Sequence, residues 1–299
     1  SPLDCLFAPE SIVLVGAGGR QGSLDGLLAR NLAHNLASDR VLAQEGSAYG
    51  GPIWAIHPKK RRIGGLRCLR DLADLPGRPD LAIITSPAVE VPRLLDRLGA
   101  LGSRAAIITS AGFGEGGHPA GLALREDILR ISRRHGMRLL GPNCLGLVAT
   151  ATALNASLAH RAPPAGRIAF VAQSGTLVTA VLDWALARGI GFSHLVSLGD
   201  MVDLDFGDIL DHLALDGHAS AILLFIETLG PARKFLSAAR AAARLKPVIL
   251  VKAGRFPESA RAVLSHAGDL AGADAVHDAA FRRAGLLRVH SIEELFDAV

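Results

Sequence analysis

Short aliphatic runs recur along the chain, each followed by a turn rich in glycine, serine or asparagine and then by a stretch with helical periodicity. In the first half these runs are Ile12–Val15, Pro52–Ile56, Leu81–Ile84, Ala105–Ile108 and Met137–Leu140. In the second half they are Ile168–Val171, Phe192–Leu198, Ala221–Ile226 and Pro247–Val251. Runs this short with no polar alternation read as strands buried on both faces. Their alternation with helical segments predicts an α/β fold made of two consecutive parallel-sheet domains. The first, residues 1–150, is expected to be a Rossmann-like sheet, and the second spans 151–299. The stretch Ala149–Gly166, with Pro163-Pro164 near its end, reads as the loop between them. Residues 37–51 read as a loop or insertion within the first domain.

Composition narrows the functional classes. The chain has 299 residues, 49% of them apolar and only 4% aromatic, so its cores are aliphatic. The formal charge is +4, and no basic stripe with interleaved aromatics is present, so nucleic acid is not an expected partner. A local anionic ligand such as a nucleotide fits better. Three widely spaced cysteines, Cys5, Cys68 and Cys144, form neither a disulfide framework nor a zinc motif. With no signal peptide and no membrane-length apolar run, a cytoplasmic setting is expected, with no membrane partner and no metal site. Ser1 in place of an initiating Met, and an end inside the helical pattern Ile292–Val299, read as a processed or trimmed product.

Open parallel sheets collect ligands at the carboxyl ends of their strands, so the strand ends carry the candidate chemistry. After Ile12–Val15 comes a glycine-rich turn with Gly16, Gly18, Gly19, Gly22 and Ser23. Such a turn lets backbone approach a phosphate at a helix N-terminus, although a tight βα turn in any doubly wound domain looks the same. The next strand ends in His57-Pro58-Lys59-Lys60-Arg61-Arg62, where an NAD site would carry a carboxylate. Four cations suit a ribose bearing an extra phosphate, as in NADP or coenzyme A. A solvated charge run is the alternative. Ser86-Pro87 and the turn Gly112–Gly117 should lie on the same edge.

In the second domain, Gln173-Ser174-Gly175-Thr176 opens a helix. Ser174, Gly175 and Thr176 are a second phosphate cradle or an ordinary serine cap. Asp200, Asp203 and Asp205 read as a solvated loop capping the following helix. Glu227 ends a strongly apolar strand. His266 stands on a loop after Pro247–Val251, ahead of a helix from Asp269. Together Ser174, Glu227 and His266 suggest an anion-holding helix end, an orienting carboxylate and a nucleophilic imidazole for phosphoryl chemistry. The other histidines read as surface or packing residues, with His57 a possible neighbour of a ligand, and Cys144 as a packed thiol.

At these residues the chain resembles the NDP-forming acyl-CoA synthetases, whose relatives include the succinyl-CoA synthetase α subunit. The carriers are Val15-Gly16-Ala17 with Gly22-Ser23, Gly51-Pro52-Ile53 through Pro58-Lys59, and Gly141-Pro142-Asn143-Cys144-Leu145-Gly146. They continue with Gln173-Ser174-Gly175, Leu182-Asp183-Trp184-Ala185, Ser265-His266-Ala267-Gly268 and Asp278 through Gly285. The resemblance implies a CoA-binding domain followed by a flavodoxin-like ligase domain. It implies that His266 is transiently phosphorylated, that Glu227 holds it, and that Ser174, Gly175 and Thr176 bind the phosphoryl group. It assigns the Gly16 loop, Lys59, Ser86 and Pro87 to CoA. Asp200 stands where the family usually has Asn, and Asp269 where it has a small apolar residue. Added acids would oppose a phosphohistidine unless a metal or Arg compensates.

No Walker A sequence or ATP-grasp-like region is present in the sequence. ADP or ATP with Mg2+ is therefore expected only through a partner domain or subunit, in cis or trans, and a homo-oligomer is expected. The chain is also similar to the synthetase-like region of acetyltransferase-fused protein lysine acetyltransferases, through Arg138–Asn143 and Leu154–Ser157. That similarity implies the alternative of a regulatory acyl-CoA sensor, although His266 argues for retained chemistry. An NADP-dependent oxidoreductase is the third reading, and it lacks an evident hydride-transfer site.

Overall fold

The computed structural model describes residues 2–16, 24–33, 49–254 and 274–299. After a short helix α1 (Asp4–Phe7), the first sheet is built from β1 (Ile12–Val15), β2 (Ile53–Ile56), β3 (Arg62–Ile63), β4 (Leu66–Leu69), β5 (Leu81–Ile84), β6 (Ala105–Ile108) and β7 (Arg138–Leu140). Their order is β3-β4-β2-β1-β5-β6-β7, parallel except for the β3–β4 hairpin. Every residue of β1, β5 and β6 is buried, as the unbroken aliphatic runs require. Helices α2 (Leu24–Ala33), α3 (Val91–Ala100) and α4 (Pro119–His135) complete the βα units. The hairpin is an addition to the expected sheet. Its strands are too short and too charged to show a period, and Gly64 and Gly65, both at positive φ, make its turn.

The second sheet contains β8 (Gly146–Ala149), β9 (Leu154–Ser157), β10 (Ala165–Ala172), β11 (Phe192–Ser197), β12 (Ala221–Ile226), β13 (Val248–Lys252) and β14 (Leu287–Val289). The order is β14-β13-β12-β10-β11-β8-β9, with β8 antiparallel to both its neighbours, β11 and β9, and the other pairs parallel. Helices α5 (Gly175–Leu186), α6 (Phe206–Leu215) and α7 (Ala232–Ala243) follow β10, β11 and β12. The expected loop Ala149–Gly166 thus holds strand β9 and the start of β10. Residues 146–149, on the first-domain side of the expected change, pair with the second sheet. Strand β9 gives no apolar signal because Asn155 and Ser157 are buried within it and satisfy each other, Ser157 Oγ donating to Asn155 Oδ1 at 2.7 Å. Among the described residues no helix is long and apolar enough to cross a membrane.

The chain passes from one sheet to the other at residues 141–145, and a backbone ladder welds them there. The amides of Asp200, Val202 and Leu204 donate to the carbonyls of Pro142, Gly141 and Leu139 at 2.9, 3.2 and 3.2 Å. Asp203 Oδ2 accepts from the Leu139 amide at 2.8 Å and from Arg138 Nε at 3.0 Å. Arg138 also reaches Asp208 at 3.2 Å, in the first turn of α6. Asp205 caps that helix, accepting from the amides of Gly207 and Asp208. Of the acids read as one solvated loop, Asp205 therefore serves as the cap and Asp203 as an inter-sheet clamp.

Replacing Arg138 by Leu strips the cation from the partly buried Asp203 and leaves Asp208 with Lys234 alone. The expected loss is about 1–3 kcal/mol, between the values for exposed and fully buried pairs, measured as a lowered urea midpoint at pH 7.

Candidate functional site

The weld turns the carboxyl edges of the two sheets toward each other. Between them lies a cavity of about 810 Å³. From the first sheet it is lined by the loop after β6, including Gly114, Glu115, Gly116 and Gly117, and by Arg125 of α4. From the second it is lined by Gln173 through Thr176, by Gly199 and Asp200, and by Glu227 and Thr228. Asn143, from the crossing segment, forms part of the floor.

Each wall has a local cause. The loop after β6 is pinned by Glu115, whose carboxylate accepts the Gly112 amide at 2.9 and 3.0 Å. It lies so close on α4 that a Cβ on Gly121 would meet the Gly114 nitrogen at 2.3 Å. Opposite, Ser174 is the N-cap of α5, its hydroxyl accepting from the Leu177 amide at 3.3 Å. The first-turn amides of that helix have no intrahelical acceptor and carry the positive end of its dipole toward the cavity. Gln173 is buried and joins two strand ends. Its Oε1 accepts the amides of Glu227 and Thr228 at 2.8 and 2.9 Å, and its Nε2 donates to Thr228 Oγ1 at 2.7 Å. Lys252 Nζ closes the same corner, donating to the carbonyls of Glu227 and Ala253.

Asp200 is shifted from its ordinary value. Burial first, and the neighbouring Glu115 carboxylate second, push its carboxyl up to about 6. Asn143 Nδ2, donating to it at 3.3 Å, and Arg125 pull the other way.

Among the expected site residues, Ser174, Gly175, Thr176 and Glu227 come together on this cavity. His266 lies outside the described residues, as do Gly18, Gly19, Gly22 and Ser23. Gly16 is half-buried at the end of β1, Ser86 is buried and Pro87 exposed, and none of the three lines this cavity. Lys59 lines a second, smaller cavity of about 270 Å³ with Lys60, Arg61, Arg67, Cys68 and Arg70. His57 builds that turn, its Nδ1 accepting the amides of Lys59 and Lys60 at 3.0 and 2.9 Å. Sequence reasoning passed over Glu115, Arg125, Asn143 and Gln173 as site residues. Gln173 adjoins Ser174, Glu115 stands in the Gly112–Gly117 turn and Asn143 in the Gly141–Gly146 motif, so each had a signal, whereas Arg125 lies within a helix and depends on the meeting of two distant loops. His194 and His212, read as packing residues, are ordered by Phe7, which stacks on His212 at 4.3 Å and meets His194 edge-on at 5.4 Å.

Residues 10–150 match the family described as CoA binding domain, and residues 165–299 the family described as succinyl-CoA ligase like flavodoxin domain. The chain is 38% identical over 295 residues to acetate–CoA ligase (ADP-forming) I of Archaeoglobus fulgidus, covering 99% of this chain and 41% of that protein. It is 35% identical over 299 residues to the alpha subunit of acetate–CoA ligase (ADP-forming) I of Pyrococcus furiosus, covering 99% of this chain and 62% of the subunit. Among solved structures, the dinucleotide forming acetyl-coenzyme A synthetase 1 of Ca. Korarchaeum cryptofilum, in complex with phosphate and ADP, is similar with a TM-score of 0.89. Its sequence identity is 32%, over 99% of this chain and 61% of that one. The chain thus spans between 41% and 62% of the lengths of these proteins.

Gln173→Leu keeps the side-chain bulk but leaves the amides of Glu227 and Thr228 without their acceptor. It should lower stability by about 1–3 kcal/mol, read by chemical denaturation. It should also raise amide hydrogen exchange at residues 227 and 228 before any effect elsewhere.

Proposed function

The chain belongs to the NDP-forming acyl-CoA synthetases, and on that premise we propose that it is the CoA-binding, phosphohistidine-carrying part of an ADP-forming acyl-CoA ligase. The observation that carries this reading is the cavity between the sheets, where a serine-capped helix N-terminus and Glu227 face a glycine-rich loop from the CoA-binding region.

The residues divide the chemistry as follows. Ser174, Gly175 and Thr176 hold the phosphoryl group at the positive end of α5. His266 attacks the phosphorus of an acyl phosphate, forming an N–P bond as the bond to the acyl oxygen breaks and a carboxylate leaves. Glu227 orients the imidazole and balances the positive charge that develops on it. The phosphoryl group then passes to an oxygen of ADP, held with Mg2+ by an ATP-grasp-type partner domain or subunit. For CoA, the cations around the smaller cavity fit the donor set its phosphates require: Lys59, Lys60, Arg61, Arg67 and Arg70 line it together, without an acid among its described lining residues. Bound CoA supplies the thiol that carries the acyl group.

Incubation with acetyl phosphate should add one acid-labile phosphoryl group to the intact mass, and the His266→Asn variant should add none. An unmodified chain that still binds CoA would overturn the ligase reading. It would favour the acyl-CoA-sensing region of an acetyltransferase-associated protein. A second test addresses the cations. Lys59→Ala combined with Lys60→Ala should weaken CoA binding about tenfold, which is ~1.4 kcal/mol, and should affect dephospho-CoA less, because it lacks the ribose phosphate.

A further inference from the structure

At the end of α6 away from the inter-sheet weld, three side chains of metal-ligand type meet. His194 stands on β11, while His212 and Asp216 occupy the last turn and the C-cap of α6. A nitrogen from each imidazole and an oxygen of the carboxylate all lie within 4.8 Å of one another. None of the three residues lines the inter-sheet cavity or the smaller cationic one.

The meeting has local causes. His212 and Asp216 stand at i and i+4, so the helix presents them on one face, the spacing by which two helical side chains reach a single ion. His194, only 3% exposed, comes beside them as α6 packs on the sheet. Val196, on the same face of β11, shares an apolar cluster with Leu210 and Leu213 of that helix. Each group is also held from behind, as metal ligands are. Ser193 Oγ lies 3.1 Å from His194 Nδ1. Asp216 accepts the amides of His218 and Ala219 at 2.8 and 2.9 Å, both through Oδ1, which fixes the carboxylate without using Oδ2 in these bonds. Phe7 packs against both imidazoles. The two rings stand 6.4 Å apart with their planes at 86°, so they do not stack on each other.

Charge selects the kind of ion. Asp216 supplies one negative charge, and the end of α6 adds the negative pole of its dipole. Lys246 works the other way, its Nζ donating to the carbonyls of Leu213 and Asp216. A dication here gains from coordination bonds to nitrogen more than from a surplus of charge. That favours an ion with affinity for imidazole over Mg2+ or Ca2+.

We propose that His194, His212 and Asp216 bind one zinc-class divalent transition-metal ion, which pins β11 to the end of α6 where Phe7 of α1 packs. Two imidazoles and one carboxylate are a donor set that zinc accepts, with water in the fourth position. Bonds of about 2.1 Å to a tetrahedral ion place ligand atoms about 3.4 Å apart, so side-chain rotation closes the set around the ion. With Asp205 capping the start of α6, the ion fixes the other end of the same helix. The site has no signature in the sequence, because its ligands come from two elements and no short motif joins them.

The full chain, stripped with EDTA and dialysed, is titrated with ZnCl2 by calorimetry at pH 7.5. One equivalent should bind with a Kd below about 10 μM, and the melting temperature should rise with it. CoCl2 in place of zinc should give the visible absorption of four- or five-coordinate cobalt. His212→Phe keeps a ring to stack on Phe7 and removes a ligand. Asp216→Asn keeps an acceptor for the two amides and removes the charge. Each should melt like the unaltered chain in EDTA, bind zinc about a hundredfold more weakly and lose the zinc-dependent rise in Tm. His218→Ala removes a neighbouring histidine outside the set and should bind as the unaltered chain does. Histidine-selective NMR needs no variant: one equivalent of zinc should shift the ring resonances of His194 and His212 before those of any other histidine. Binding weaker than about 10 μM, tight binding that survives in both ligand variants, tight binding lost in His218→Ala, or ring shifts confined to other histidines would each overturn the proposal.

Discussion

The structure depends on the backbone ladder between residues 139–142 and residues 200–204. Two parallel sheets have no intrinsic reason to meet at their carboxyl edges; each satisfies its own ladder and buries its own faces. Here the segment leaving β7 and the turn leaving β11 hydrogen-bond to each other, and Asp203 ties the amide of Leu139 to the guanidinium of Arg138. The approach is close enough that a Cβ on Gly199, which has φ of 59°, would meet the Pro142 carbonyl oxygen at 2.1 Å. A side chain there would part the sheets. The cavity exists because this contact sets how near the β6 loop comes to the start of α5.

Within that frame Gln173 does for the second sheet what the ladder does for the pair. One buried amide spends both of its polar atoms on the end of β12, so that the position of Glu227 is set from β10. The Ser197 hydroxyl continues the pattern, donating to the Gln173 carbonyl at 3.1 Å and accepting the Leu145 amide at 3.0 Å. Strand ends contributed by β10, β11, β12 and the crossing segment are thereby held by side-chain hydrogen bonds where the sheet's own bonds have stopped. Positions fixed in this way suit a site whose ligands are small and charged.

Much of the fold was legible in the sequence because buried parallel strands write themselves as aliphatic runs. Ile12–Val15, Leu81–Ile84 and Ala221–Ile226 are examples. What was not legible had a polar or edge character. Strand β9 conceals itself by satisfying Asn155 with Ser157, β14 places an Arg at its centre, and the β3–β4 hairpin is short and charged. In the site, Ser174 and Glu227 could be singled out because each directly follows a strong strand, which places it on a known edge. Glu115 and Asp200 could not be placed on one cavity, because they stand far apart along the chain on loops of different sheets and only the weld brings those loops together. Sequence spacing carries local geometry; the pairing of two domains is a property of the assembled surfaces.

Strand β9 is the outermost strand of the second sheet, and its outer backbone is a surface to which another chain could add a strand. Asn31, on α2 of the first domain, donates through Nδ2 to the carbonyls of Ser157 and Ala159, both at 2.8 Å. A helix from one domain thus lies over the open border of the other's sheet. The association of the domains is therefore also a safeguard against aggregation. If they parted, the exposed border of β9 would regain the capacity for intermolecular β-pairing that the helix now occupies.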